Sequence, residues 1–124
     1  MLKRGFKTML AEANAVIETV SVQDLPYHLE DPEVILVDVR DSAEREREGI
    51  IPASVHVPRG LLEFQADPES PVHVSEMQPH RRIILYCGTG GRSALAAKTL
   101  IDMGYADVAS LAGGYEAWRA AKGR

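Results

Sequence analysis

Only one of the 124 residues is a cysteine, Cys87, so the chain cannot close an internal disulfide, and a reducing, cytoplasmic setting is the expectation. Long apolar runs are missing as well. Unbroken stretches reach only a few residues, against the roughly 20 that span a bilayer, so a soluble protein with no membrane role is expected. The opening stretch MLKRGFKTMLAEANAV breaks its apolar residues with Lys, Glu and Asn and offers no continuous signal-peptide core. There is no basic excess: 14 Lys and Arg face 18 Asp and Glu, a net charge of -4, which argues against a nucleic-acid partner and requires any anion site to be local. The four histidines, His28, His56, His73 and His80, have neither metal-ligand spacing nor proximity in sequence to Cys87. No internal repeat is visible.

What is present describes an ordinary globular chain, 45% hydrophobic and 26% charged, of a length that suits one domain. Phe6, Met9, Leu10, Ala13 and Ile17 recur at helical spacing and predict an amphipathic accessory helix within residues 1–18, resting on a single domain of residues 19–124. ETVSV reads as a short strand and SVQDLPYHLE as a short helix, with Ser21 a candidate cap and Pro26 in the first turn. VILVDVR, residues 34–40, is a buried strand delivering Asp38 and Arg40 at its C-terminal end. DSAEREREG, 41–49, is a short solvated helix with Asp41 and Glu44 placed as a capping box and Gly49 as its stop.

ASVHVP and RIILYC read as strands, RGLLEF and RSALAAKTLIDMG as helices, and DVASLAGG with YEAWRAAK as a last strand and helix. Residues 67–80, with three prolines, form a long surface loop. Strands alternating with helices predict an α/β fold: a mainly parallel central sheet of about five strands with helices on both faces, plus the N-terminal helix.

In such a sheet ligands gather beyond the carboxyl ends of the strands, and Cys87 sits there, at the end of RIILYC. The following Gly88, Thr89, Gly90, Gly91, Arg92 and Ser93 turn the strand into a helix. Glycines tolerate positive φ and let successive N–H groups converge on one point, the helix start adds unpaired N–H groups and its dipole, and Arg92 adds a full charge. A thiol of ordinary pKa, about 8.5, is only a few per cent ionised at neutral pH. This loop is built to raise that fraction and to hold an anionic sulfur within reach of solvent. A lone cysteine also occurs as simple apolar filler. The glycine spacing is neither that of a P-loop nor GxGxxG.

CGTGGRS resembles the active-site loop of the rhodanese, or sulfurtransferase, domain family, and the resemblance covers nearly the whole chain after the first helix. LVDVR, GIIPASVHVPRG leading to Arg59, and LAGGYEAW with Gly113, Gly114 and Trp118 support it. The resemblance implies Cys87 as the sulfur-accepting nucleophile and Gly88 to Ser93 as the loop that binds a persulfide through backbone N–H groups, with Arg92 orienting them and supplying charge. It implies a small anionic donor such as thiosulfate, or a protein persulfide, a cyanide, thiol or protein acceptor, and neither metal nor organic cofactor. Four residues separate Cys87 from Arg92, where related phosphatases have five, which favours sulfur over phosphorus. The chain departs from the usual Gly-His-Ile-Pro-Gly-Ala at Ile50 and Ala53, which bears on local backbone geometry or partner recognition.

Arg59 is either an anion-steering residue or a surface arginine. Asp38 and Arg40 are supporting residues, Arg40 being able to pair with Glu44 one turn into the next helix. A sulfur carrier or sensor without turnover, a cysteine-dependent phosphatase or arsenate reductase, and a Cys/His hydrolase stand as alternatives. A monomer and a homodimer are both compatible with the N-terminal helix.

Overall fold

The computed structural model of the chain describes residues 1–122; the last two residues of the unit expected over 19–124 lie outside the described residues. Five strands, β1 (Glu18–Val20), β2 (Val34–Asp38), β3 (Val55–His56), β4 (Arg82–Tyr86) and β5 (Asp107–Leu111), form one sheet in the order β1-β5-β4-β2-β3. Every pairing is parallel. Parallel neighbours cannot be joined by a hairpin, so helices carry the chain back across the sheet. These are α1 (Phe6–Val16), α2 (Leu25–His28), α3 (Ser42–Glu48), α4 (Leu62–Gln65), preceded by one 3-10 turn at Arg59–Leu61, α5 (Gly91–Met103) and α6 (Gly114–Lys122). No helix among the described residues is long and apolar enough to cross a membrane.

The central strand β4 separates two cores. Ile83 and Leu85 face one side with Val37, Leu62, Met77, Ala97 and Leu100, whereas Ile84 and Tyr86 face the other with Leu36, Ala109, Leu111 and Tyr115. These four β4 side chains are fully buried, which is why IILY reads as a continuous apolar run and not as an alternation. α5 buries Ala94, Ala96 and Ala97, whose small side chains bring the helix axis close to the sheet. Gly104, at φ 113°, ends it in the left-handed region.

Two expectations need correction. Of the α1 face, only Ala13 is buried; Phe6 is 67% and Met9 39% exposed, and the cleft that Met9 lines is shared with Lys98 and Asp102 of α5 along with Leu95. The loop over residues 67–80 is irregular as read, yet it drives Met77 to full burial, with His73 Nε2 bonded to the Met77 carbonyl. β3 is only two residues long, since the chain turns away at Pro58.

Ala53 is the one non-glycine residue at positive φ among the described residues, at 69°. This is where the resemblance expects glycine, and a Cβ in the left-handed region costs roughly 1–2 kcal/mol. Ala53→Gly is therefore expected to stabilise by about 0.5–1 kcal/mol after the extra chain entropy of glycine is subtracted, raising Tm by a few degrees in a thermal melt.

Candidate active site

The segment from Cys87 to Ser93 leaves the C-terminal end of β4 and becomes the first turn of α5. Gly90 makes the turn at φ 119°, a conformation that strains any residue with a Cβ. Its N–H donates to Cys87 Sγ at 3.1 Å, and the Ser93 N–H, in the first turn of α5, donates to the same sulfur at 3.4 Å. The thiol points at Ser93 Oγ, 3.5 Å away. Burial pushes the Cys87 thiol up, but the hydrogen bonds from Ser93 and from the Gly90 and Thr89 amides outweigh it and hold the thiol below its ordinary range. The expectation of a sulfur open to solvent is not met, for Cys87 is 1% exposed. The amides converge on it under a closed surface.

The other side of the loop is held by α6. Tyr115 N–H donates to the Cys87 carbonyl at 2.8 Å and Glu116 N–H to the Gly88 carbonyl at 3.1 Å. Because the peptide unit is planar and trans, pinning those two carbonyls toward α6 turns the Gly88 and Thr89 N–H groups the opposite way. The approach is so close that a Cβ on Gly114, which sits at φ 60°, would lie 2.5 Å from the Cys87 oxygen and 2.8 Å from the Gly88 carbonyl carbon. This explains the second glycine of LAGGYEAW.

Arg92 does not hang over the loop as a free charge. Its Nη1 and Nη2 donate to Glu44 Oε1 and Oε2 at 2.7 and 2.8 Å. Glu44 is anchored by the capping box it forms with Asp41 at the start of α3, and the Arg92 guanidinium, aided by the Asp41 N–H, lowers its carboxyl from 4.5 to about 2. Helix α3 is thus not wholly solvated: Glu44 faces the loop and Arg45 Nη1 donates to buried Asp38 at 2.9 Å.

Asp38 and Arg40 are both fully buried and pair with each other, Arg40 Nη2 lying 2.9 Å from Asp38 Oδ2. The expected Arg40–Glu44 pair is replaced by bonds from Arg40 to Asp38, to Glu48 and to the Gly49 carbonyl, because the side chain turns inward between the rings of Tyr86 and Tyr115. Burial pushes the Asp38 carboxyl up, yet the hydrogen bonds from Arg40 hold it below the usual range. The cluster stands behind the loop and fixes Tyr115, whose amide carries the Cys87 carbonyl.

Arg59 is not brought to this loop by any of its side-chain bonds. It pairs with Glu63 at 3.1 Å, donates to Thr99 Oγ1 at 3.3 Å and lines the cleft between α1 and α5 with Arg4 and Lys98. No histidine bonds to Cys87 among the described residues; His56 Nε2 contacts the Arg40 carbonyl instead. Nor do three His, Cys, Asp or Glu side chains there converge as metal ligands would. Two residues of the site lie outside the stretch that the sequence singles out: Glu44, which holds Arg92, and Ser110, whose Oγ lies 2.8 Å from Ser93 Oγ. The signal for Ser110 was a serine inside an otherwise apolar strand.

Residues 21–121 match the Rhodanese-like domain family. A sulfurtransferase of Allochromatium vinosum is 34% identical over 104 residues, 83% of this chain and 89% of the relative. A solved structure from Rhodopseudomonas palustris, described as a protein of unknown function and possible tyrosine phosphatase, superposes with a TM-score of 0.91 at 45% identity, over 98% of this chain and 94% of that one. The human single-domain sulfurtransferase superposes with a TM-score of 0.69 at 25% identity, over 82% and 95%.

Two outcomes follow from this geometry. Gly114→Ala is expected to destabilise by about 2 kcal/mol or more, since the added Cβ would clash with the backbone of Cys87 and Gly88, and to slow alkylation of Cys87 in the folded fraction. Glu44 is a carboxyl whose folded pKa is depressed, so its contribution is present above pH 4.5 and lost as the pH falls toward about 2. Urea melts across that window should show the loss in the wild type and a flatter profile in Glu44→Gln.

Proposed function

The chain belongs to the Rhodanese-like domain family, and from that premise we propose that it is a sulfurtransferase that carries sulfane sulfur on Cys87. The observation that carries the reading is the convergence of the Gly90 and Ser93 amides on Sγ, at 3.1 and 3.4 Å. In the first half-reaction the Cys87 thiolate attacks the outer sulfur of thiosulfate. A new S–S bond forms, the donor's S–S bond breaks, and its electron pair leaves on sulfite. The product, Cys87–S–S⁻, keeps one negative charge where the loop amides can meet it. In the second, cyanide or a thiolate attacks the terminal sulfur, the Cys87 thiolate leaves, and the sulfur departs as thiocyanate or as a new persulfide. Charge and electrons balance in both steps, and no redox partner is required. A reducing compartment keeps Cys87 free for this chemistry.

The phosphatase activity given as possible for the Rhodopseudomonas palustris protein is disfavoured here because the Arg92 guanidinium is held through both of its terminal nitrogens by Glu44 and is not free to clamp a phosphoryl group. The short spacing from Cys87 to Arg92 points the same way. Carriage of sulfur for a protein partner without turnover of small donors is the second reading. It is favoured by the near-complete burial of Cys87.

Thiosulfate and cyanide incubated with the protein should yield thiocyanate, and Cys87→Ser should abolish it. The intact mass after thiosulfate should rise by one sulfur atom in the wild type only. Mass gain without thiocyanate selects the carrier reading; Cys87-dependent hydrolysis of an aryl phosphate with no mass gain would overturn both.

A further inference from the structure

β5 carries an anomaly. Ile83, Leu85 and Cys87 succeed one another along the α5 face of β4 and its extension, and Val108 joins them from β5. Two residues on from Val108, the same face holds Ser110, in register with Leu85 and 4% exposed. Alternation calls for an aliphatic side chain there, and a hydroxyl is placed in the core instead. Among the described residues its oxygen has one hydrogen-bond partner, Ser93 Oγ at 2.8 Å.

Ser93 Oγ is the crowded member of this group. It owns one proton and lies within hydrogen-bonding range of three atoms: Cys87 Sγ at 3.5 Å, the Gly90 carbonyl at 3.2 Å and Ser110 Oγ. If Ser93 gave its proton to Ser110, none would remain for the sulfur, and the Ser110 proton would be buried without an acceptor. The arrangement that satisfies every group is the reverse one, with Ser110 donating to Ser93.

We propose that Ser110 is a positioning residue for the Cys87 nucleophile: its hydroxyl donates to Ser93 Oγ and so reserves the Ser93 proton for two acceptors, the Gly90 carbonyl and the sulfur. With Cys87 protonated, the S–H donates to Ser93 Oγ and the Ser93 proton rests on the Gly90 carbonyl, which also accepts Ala94 N–H at 3.1 Å. When the thiol loses its proton, the Ser93 hydroxyl rotates onto the thiolate while the Ser110 bond stays in place. Ionisation then leaves no buried donor or acceptor orphaned, and the Ser110 dipole strengthens the Ser93 donor as the charge appears. The inference rests on the reading of Cys87 as the nucleophile.

The test compares Ser110→Thr with Ser110→Val, two side chains of the same shape that differ in the hydroxyl, alongside Ser110→Ala. The readout is the rate of Cys87 alkylation by iodoacetamide as a function of pH, which reports the thiolate whether or not a sulfur is ever carried. The charged groups around the loop, Arg92 with Glu44 and Asp41, and Asp38 with Arg40 and Arg45 behind it, are the same in every variant. The valine and alanine variants are expected to react roughly fivefold more slowly near neutral pH, the equivalent of one ordinary hydrogen bond, with the profile moved to higher pH. Threonine should keep the wild-type profile, and Tm should stay level or rise in the valine variant, which returns an aliphatic side chain to the core. Equal profiles for valine and threonine, or a wild-type profile in alanine, would overturn the proposal. A wild type that never gains sulfur but whose variants order as stated would remove the transfer reading and leave this one standing.

Discussion

The loop around Cys87 depends on two backbone hydrogen bonds, from the Tyr115 and Glu116 amides to the Cys87 and Gly88 carbonyls. They exist only because Gly114 has no Cβ to hold the two segments apart. Once those carbonyls are committed to α6, the planarity of the peptide turns the Gly88 and Thr89 N–H groups the other way, and the Thr89 amide joins those of Gly90 and Ser93 in acting on the sulfur. The parallel sheet supplies the setting by bringing the ends of β4 and β5 side by side, so that the helix after β5 starts against the loop after β4. The Asp38–Arg40 pair then holds the ring of Tyr115, tying the loop to the end of β2.

The electrostatics of the site come from dipoles more than from net side-chain charge. Arg92, the formal cation of the loop, shares its charge with Glu44, and Arg40 and Arg45 share theirs with Asp38. What faces Sγ is a set of amides from Thr89, Gly90 and Ser93 together with the Ser93 hydroxyl. Hydrogen bonds to a charged acceptor contribute about 1.5–3 kcal/mol each, while taking a single ion out of water costs several kcal/mol, so three or four donors suffice to tip the balance toward the thiolate and one would not. A preorganised set of this kind suits a monoanion such as a persulfide, which needs directed donors and no counter-ion.

Much of this was legible in the sequence because it is local. The apolar runs 34–38 and 82–86 declare the central strands, the capping box at Asp41 and Glu44 declares a helix start, and the seven residues CGTGGRS place cysteine, glycines and helix entry in one contiguous stretch. The partners of long side chains were not legible, since tertiary packing chooses them. Glu44 and Arg92 are 48 residues apart, and a helical-spacing argument favoured Arg40 for Glu44 when burial between two tyrosines draws Arg40 inward. Arg59 follows a strand end like a site residue but is captured by Glu63 and Thr99. Ser110 shows itself only as a break in an apolar pattern, and its meaning appears once β5 lies under α5. Ala53 runs the other way: the departure from glycine was visible, and its positive φ is the backbone consequence.

Because Cys87 is the only cysteine, any thiolate absorbance belongs to it. Titrating that absorbance in the folded wild-type protein is the most direct test of the claim that converging amides ionise the sulfur. The account requires a midpoint below the ordinary thiol value of about 8.5. A midpoint at or above that value would show that burial outweighs the loop and would contradict it.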